Sequence, residues 1–203
     1  AGISFEQTAA LPMAAVTALQ ALRQGGIQAG QKVLINGASG GVGSFAVQIA
    51  KDLECEVTAV CSSRHIELMH SLGADHIIDY TREDFTRTPQ RYDLILAANG
   101  HHSILAYRRA LAPNGRYVCS GGSMTQVFQG LLLGPLLSAF GSKKLSTMAA
   151  AANSRDLTQI KELVENGKIR PVIDRMYPLN EAAEAFRYLG EGHAHGKVLI
   201  KIE

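Results

Sequence analysis

The stretch Val33-Leu-Ile-Asn-Gly-Ala-Ser-Gly-Gly-Val-Gly43 runs without a break into Ser44-Phe-Ala-Val-Gln-Ile-Ala-Lys51. An apolar strand, Val33 to Ile35, gives way to a glycine-rich turn, and a helix follows at once. Apolar residues recur in that helix at Val42, Phe45, Ala46, Ile49 and Ala50, the spacing that turns one face toward a sheet. Few folds accept such a unit. Glycines let backbone approach an anionic group closely, and a helix start offers unpaired N–H groups and the positive end of its dipole. The turn therefore reads as a dinucleotide-binding turn. Ala38 stands at the first glycine position of G-x-G-x-x-G, with Gly40 and Gly43 at the other two. Outside this context the same glycines read as ordinary turn residues.

Downstream, apolar runs and helical segments alternate. Strands are expected at Lys32–Asn36, Glu56–Cys61, His76–Asp79, Tyr92–Ala97, Arg116–Ser120 and Leu145–Ala150. Helices are expected near Gly41–Leu53, Arg64–Leu72, His102–Leu111 and Met124–Ala139. An opening helix around Leu11–Arg23 tolerates Pro12 in its first turn. Runs such as Leu94-Ile-Leu-Ala-Ala98 lack polar alternation, as expected where helices cover both faces of a parallel sheet. The expectation is an α/β Rossmann fold, a doubly wound parallel sheet. A helix at Asn153–Glu165 follows, then a C-terminal strand–helix–strand segment at Val172–Tyr177, Asn180–Leu189 and Lys197–Ile202. Ligands in open sheets bind beyond the carboxyl ends of the strands. Interest therefore falls on Ala38–Gly43, Cys61–Arg64, Tyr80, Asn99–Gly100 and Ser120–Ser123.

Charge excludes some partners. The 20 Lys and Arg against 18 Asp and Glu leave a net charge of +2, too little for a nucleic-acid or membrane-surface partner. Cys55, Cys61 and Cys119 lie far apart without C-x-x-C spacing, so neither disulfides nor structural zinc are expected. The longest apolar run, Leu131 to Phe140, is broken by Gly134-Pro135 and too short to span a bilayer. No signal peptide is read at the start. A soluble cytoplasmic protein is the expectation.

The tip of the second strand bears on the nucleotide. A preference for NAD usually places Asp or Glu there to bind the ribose 2′-hydroxyl. This chain has Cys61-Ser-Ser-Arg64 instead, with no carboxylate. Two hydroxyls and a guanidinium suit a 2′-phosphate, so NADP(H) is expected. A competing reading makes Ser62 and Ser63 caps of the next helix and leaves Arg64 solvated.

Further motifs point the same way: Ala9-Ala-Leu-Pro-Met-Ala-Ala-Val-Thr-Ala18, Val33 to Lys51, Gly73-Ala-Asp-His-Ile-Ile-Asp-Tyr80, Gly115-Arg116 with Gly121-Gly122, and Gly192-His-Ala-His-Gly-Lys197. In this order they resemble the medium-chain dehydrogenase/reductase superfamily, and within it the zinc-independent quinone-oxidoreductase, or zeta-crystallin-like, branch. The resemblance implies that Ser39, Gly40, Gly41 and Val42 wrap the pyrophosphate. It implies that Ser62, Ser63 and Arg64 hold the 2′-phosphate with Tyr80 beside them, although Tyr80 can also be read as core. Asn99, Gly121 and Gly122 would line the crevice, and Met148 to Ala150 would approach the nicotinamide; a plain turn is the other reading of the glycine pair. The family's Asp in the fourth strand is replaced by Leu96-Ala97-Ala98. The family's N-terminal catalytic domain is not in this chain, which is either a piece of a longer enzyme or a naturally short protein. Residues 1–170 are then expected to form the dinucleotide domain, and 171–203 a segment that in relatives returns to the catalytic domain and here would lack its usual partners.

No catalytic residue stands out. Zinc ligands in the zinc-dependent relatives come mostly from the missing domain, so no metal is expected. His70, His76 and His193 read as solvated or packed, His101-His102 as a helix start, and Lys143-Lys144 as a solvated pair. A short-chain reductase is excluded, because no tyrosine has Lys four residues on to lower its pKa. A P-loop is excluded by the lack of G-x-x-x-x-G-K-[ST]. The resemblance implies hydride transfer from NADPH to a quinone, an enone or a similar small electrophile, in a homodimer joined through the sixth strand. Rival readings are a nucleotide-binding module without turnover and another Rossmann-like enzyme such as a methyltransferase.

Overall fold

Strands that are apolar on both sides must be covered on both sides, and the chain meets that demand with two layers of helix. The computed structural model describes residues 3–192 and 194–202. Two helices, α1 (Phe5–Ala10) and α2 (Pro12–Gln24), lead into β1 (Lys32–Asn36), α3 (Gly41–Asp52), β2 (Glu56–Cys61), α4 (Ile66–Ser71) and β3 (His76–Asp79). The second half continues with β4 (Tyr92–Ala97), α5 (Ile104–Ala110), β5 (Leu111–Cys119), α6 (Met124–Ala139), β6 (Lys144–Thr147) and α7 (Ser154–Glu165). It ends with β7 (Ile173–Pro178), α8 (Ala182–Gly190) and β8 (Lys197–Lys201).

The first six strands form one parallel sheet in the order β3-β2-β1-β4-β5-β6. The chain winds outward from β1 to β3, then returns to lay β4 against the other side of β1. That reversal opens a crevice at the carboxyl ends of β1 and β4. Alternate residues of the strands serve opposite layers. Val33 and Ile35 of β1 and Leu94 and Leu96 of β4 pack with α2, α3 and α7. Leu34, Ile95 and Ala97 point the other way, onto α5 and its buried Tyr107.

Several boundaries differ from expectation for visible reasons. The opening segment is two helices, since Leu11 ends α1 and Pro12 starts α2; α1 carries a capping box between Ser4 and Gln7. The fifth strand starts early because Leu111 pairs with Tyr92 before the register jumps to Arg116 opposite Leu94. The sixth strand ends at Thr147 rather than Ala150. Past Met148 the chain leaves the sheet for α2, where Gln20 both donates to the Ala151 carbonyl (2.7 Å) and accepts its N–H (3.0 Å). The expected helix at Arg64 begins as a 3-10 turn over Ser63–His65. The last two strands pair with each other in parallel, from Ile173 opposite Lys197 to Pro178 opposite Lys201.

Candidate functional site

α3 starts without a side-chain cap. Gly40 is its extended N-cap residue, and no side chain accepts from the first amides. Ser4, Ser103, Ser123 and Asn153 do supply that bond for α1, α5, α6 and α7. The first-turn N–H groups of α3 and the positive end of its dipole are thereby left for something outside the helix. Two glycines make the turn possible. Gly37 adopts φ +83°, and a Cβ there would lie 2.8 Å from the backbone nitrogen of Asn99. A Cβ on Gly43 would lie 2.6 Å from the Ala38 Cα and closer still to the Gly37 carbonyl oxygen.

A cleft of about 550 Å³ runs from this turn across the ends of β1 and β2. Six of the expected residues line it together: Ser39, Gly40, Ser62, Arg64, Tyr80 and Asn99. Asn99 is held there by its own N–H, which, like that of Ala98, donates to the Asn36 carbonyl. Gly41 and Val42 sit in the first turn of α3 behind the cleft wall, and the Val42 side chain packs on the core. Ser63 turns away: its hydroxyl donates to Asp79 Oδ2 at 2.6 Å. Gly121 and Gly122 follow β5, where Gly122 bridges Gly100 outside this cleft.

Around the cleft, exposure and hydrogen bonding fix the part each side chain plays. Tyr80 is 62 % exposed and so is not a core residue. Neither Ser62 nor Ser63 caps the following helix; the Ser62 hydroxyl lies 3.1 Å from His65 Nδ1. Ser103, not the His101-His102 pair, caps α5, and both histidines line the cleft. Met148 packs against the core layer of α2 and α3 and does not line this cleft. Lys143 is not simply solvated, since its Nζ donates to the Arg108 carbonyl at 2.9 Å and burial lowers its pKa. His70 is exposed, and His76 lies 3.0 Å from Glu56, while His193 falls outside the described residues.

Around the β2 tip lie one ionised acid, Asp79, and two arginines, Arg64 and Arg82. Asp79, the acid beside Ser63, is already engaged. Its bond from the Ser63 hydroxyl, with others from Thr81, holds its carboxyl below the usual range, and Arg82 lies 3.5 Å away. Burial, aided by the Asp79 charge, pushes the Cys61 thiol up to about 11, so this cleft-lining sulfur stays protonated and unreactive at neutral pH. Arg64 is exposed beside both.

Sequence reasoning missed the outer wall. The loop between α8 and β8 closes over the turn: the Gly196 N–H donates to the Ser39 carbonyl at 2.8 Å, and Gly196 bridges Gly40. Gly192 and Ala194 line the cleft beside Arg64 and His65. A Cβ on Gly41 would meet Lys197 Cδ at 3.0 Å, so the lysine stem lies against the start of α3. The signal was the Gly192–Lys197 motif, but about 150 intervening residues hide its destination. Among the described residues, no helix is long and apolar enough to cross a membrane, and no three His, Cys, Asp or Glu converge on a metal position.

Comparisons with known proteins agree with this architecture. Residues 72–200 match the family described as zinc-binding dehydrogenase. The chain is 35 % identical over 202 residues to 2-methylene-furan-3-one reductase of Solanum lycopersicum, covering 98 % of the chain and 47 % of that protein. It is 33 % identical over 202 residues to NADPH-dependent alkenal/one oxidoreductase of Arabidopsis thaliana, again covering 98 % of the chain and 47 % of the relative. The chain thus spans about half the length of these relatives. The structure of the quinone oxidoreductase from Coxiella burnetii superposes with a TM-score of 0.87 at 31 % identity, over 98 % of this chain and 62 % of that one. A parallel sheet in this order, a bare helix start over its switch point and these likenesses lead to one assignment: the chain belongs to the zinc-binding dehydrogenase family of the medium-chain dehydrogenase/reductase superfamily.

Proposed function

We propose that this chain is the NADP(H)-binding part of an oxidoreductase that passes hydride from NADPH to a quinone, an enone or a similar small electrophile. The observation that carries the proposal is the uncapped start of α3 opening on a cleft whose far end holds Ser62 and Arg64. The residues fit the group. The amides of Gly41 and Val42, with Ser39 and Gly40 at the turn, would receive the diphosphate, and the Lys197 stem places a cation alongside. Arg64 would pair with the 2′-phosphate, and the nearby acid is occupied by Ser63 and Thr81, which favours NADP(H) over NAD(H). The names of the enone-reducing relatives support the same substrate class.

When bound, the reduced nicotinamide supplies the hydride. The chain's own contribution is position: Asn99, fixed against Gly37, borders the crevice between β1 and β4 where the reacting end would lie, and Gly121 and Gly122 are proposed as its far rim. No side-chain acid is required where solvent protonates the reduced product. The proposal is zinc-independent and cytoplasmic, with residues 1–170 as the nucleotide domain and 171–203 as a returning segment. A second reading is a nucleotide-binding module without turnover. Incubating the chain with NADPH and a simple quinone separates the two. Nucleotide-dependent quinone loss supports the enzyme, tight NADPH binding without loss supports the module, and absence of NADPH binding overturns both.

A further inference from the structure

The mouth of the cleft holds side chains that the nucleotide reading leaves unused. His65 lines the cleft next to Ser62, Arg64 and Tyr80, with its Nδ1 3.1 Å from the Ser62 hydroxyl. Behind it stands His195, at a ring-centroid distance of 5.1 Å and an interplanar angle of 43°. Asp174 grips His195 twice: one carboxylate oxygen lies 3.3 Å from the imidazole Nδ1, and the other accepts the His195 backbone N–H at 3.0 Å. That carboxylate is only 5 % exposed and also accepts the Tyr188 hydroxyl at 2.7 Å. Two imidazoles 130 residues apart in the sequence, backed by a buried acid, therefore meet at the position assigned to the 2′-phosphate.

We propose that His65 is a specificity-determining residue for the 2′-phosphate, taking up a proton as that phosphate binds, with His195 and Asp174 as its positioning residues. The inference rests on the nucleotide reading above. In the free protein, burial holds the His65 imidazole below its usual value. His195 and Arg64 push in the same direction, and Asp174 opposes them. Around it stand also Tyr80 at the end of β3, His101 and His102 across the cleft, the protonated Cys61 thiol of β2, and the Asp79 carboxylate held by Ser63. His65 is thus neutral near pH 7 until an anion arrives. A dianion within hydrogen-bond reach favours the charged form strongly enough to reverse this balance. The Asp174 carboxylate meanwhile holds the His195 ring and backbone in place beside His65. NADH lacks the phosphate and leaves His65 neutral.

The test is calorimetric titration of the 203-residue chain with NADPH and with NADH, in two buffers of different ionisation enthalpy at about pH 7. NADPH binding should take up protons, and NADH binding should not. The sign is informative, because the ligand's own phosphate, with a pKa of about 6, can only release protons on meeting cations. His65→Gln should abolish the uptake and weaken NADPH roughly tenfold at mildly acidic pH, the loss of one charged hydrogen bond, while leaving NADH affinity unchanged. His195→Gln should shift the pH at which uptake is greatest without abolishing it. NADPH binding without proton uptake overturns the role of His65 while leaving the nucleotide reading intact, and needs no variant to show it. Undiminished uptake in His65→Gln does the same. Failure of both nucleotides to bind removes the nucleotide reading and this inference with it.

Discussion

Arg64 and Asp156 show how differently two charges can serve the same chain. Arg64 is exposed at the cleft with no ion-pair partner among the described residues, which suits a side chain waiting for a ligand. Replacing it with Ala should weaken NADPH by about 1–3 kcal/mol and leave NADH almost unchanged, as read by fluorescence titration. Equal losses for both nucleotides would remove the 2′-phosphate assignment. Asp156 is buried and structural: Gln20 and Asn153 donate to it at 2.7 and 2.8 Å, and Arg23 pairs with it, tying α7 to α2. Those bonds, first from Gln20 and then from Asn153, hold its carboxyl below the usual range. A carboxyl whose folded value is depressed stabilises the fold above its unfolded value of about 3.9 and loses that contribution as pH falls through the folded value. Asp156→Asn should therefore cost about 1–2 kcal/mol near neutral pH and progressively less in acid, measured by urea unfolding across pH. A penalty independent of pH would exclude this origin. The placement of Arg64 beyond a strand end was legible in the sequence, because Ser62-Ser63-Arg64 follows a recognisable strand. The Asp156 network and the His65–His195 contact were not, since each joins positions 130 or more residues apart.

At the scale of elements, the junction of β1 and α3 governs both fold and site. α3 buries Phe45, Ala46, Ile49 and Ala50 against the sheet, and only a glycine at position 43 lets its start press on the Gly37–Ala38 backbone. Gly43→Ala would set a methyl group against backbone atoms that cannot rotate away, so the helix start must lift. The expected outcome is a loss of about 1–3 kcal/mol in unfolding free energy together with nucleotide binding, because the displaced amides no longer point at one place. Unchanged NADPH affinity in a folded Gly43→Ala protein would show that the diphosphate lies elsewhere. This junction was legible because its constraints are local: an apolar run, a glycine turn and a helical repeat lie within twenty residues. The ends of β5 and β6 were less so. Leu111 belongs to β5 only because Tyr92 lies beside it, and β6 stops at Thr147 only because Gln20 claims Ala151. Nothing within either segment announces those distant partners.

At the scale of the molecule, the sheet ends in two edge strands, β3 and β6, and α6 packs beside the second. β6 pairs with β5 on one side, and among the described residues no strand covers the other. An unpaired edge is a template for another strand, and proteins usually blunt or cover it. Beside it α6 exposes Met124, Phe128, Leu131, Leu132 and Leu136, and Phe140 follows just past its end, each more than half exposed. An apolar surface of that kind next to a free edge is suited to association with another copy. The proposed homodimer would bring two β6 strands together across a two-fold axis, giving each open edge the same edge of its partner and burying the α6 surfaces between them. Light scattering on the chain at high concentration should report twice the mass of one copy. Leu132→Glu with Leu136→Glu places charges on exposed positions that carry little of the chain's own packing, so the pair should yield monomers without lowering the unfolding temperature of the single chain. A monomeric native chain at high concentration would refute the arrangement, and a dimer indifferent to both charges would move the interface away from α6.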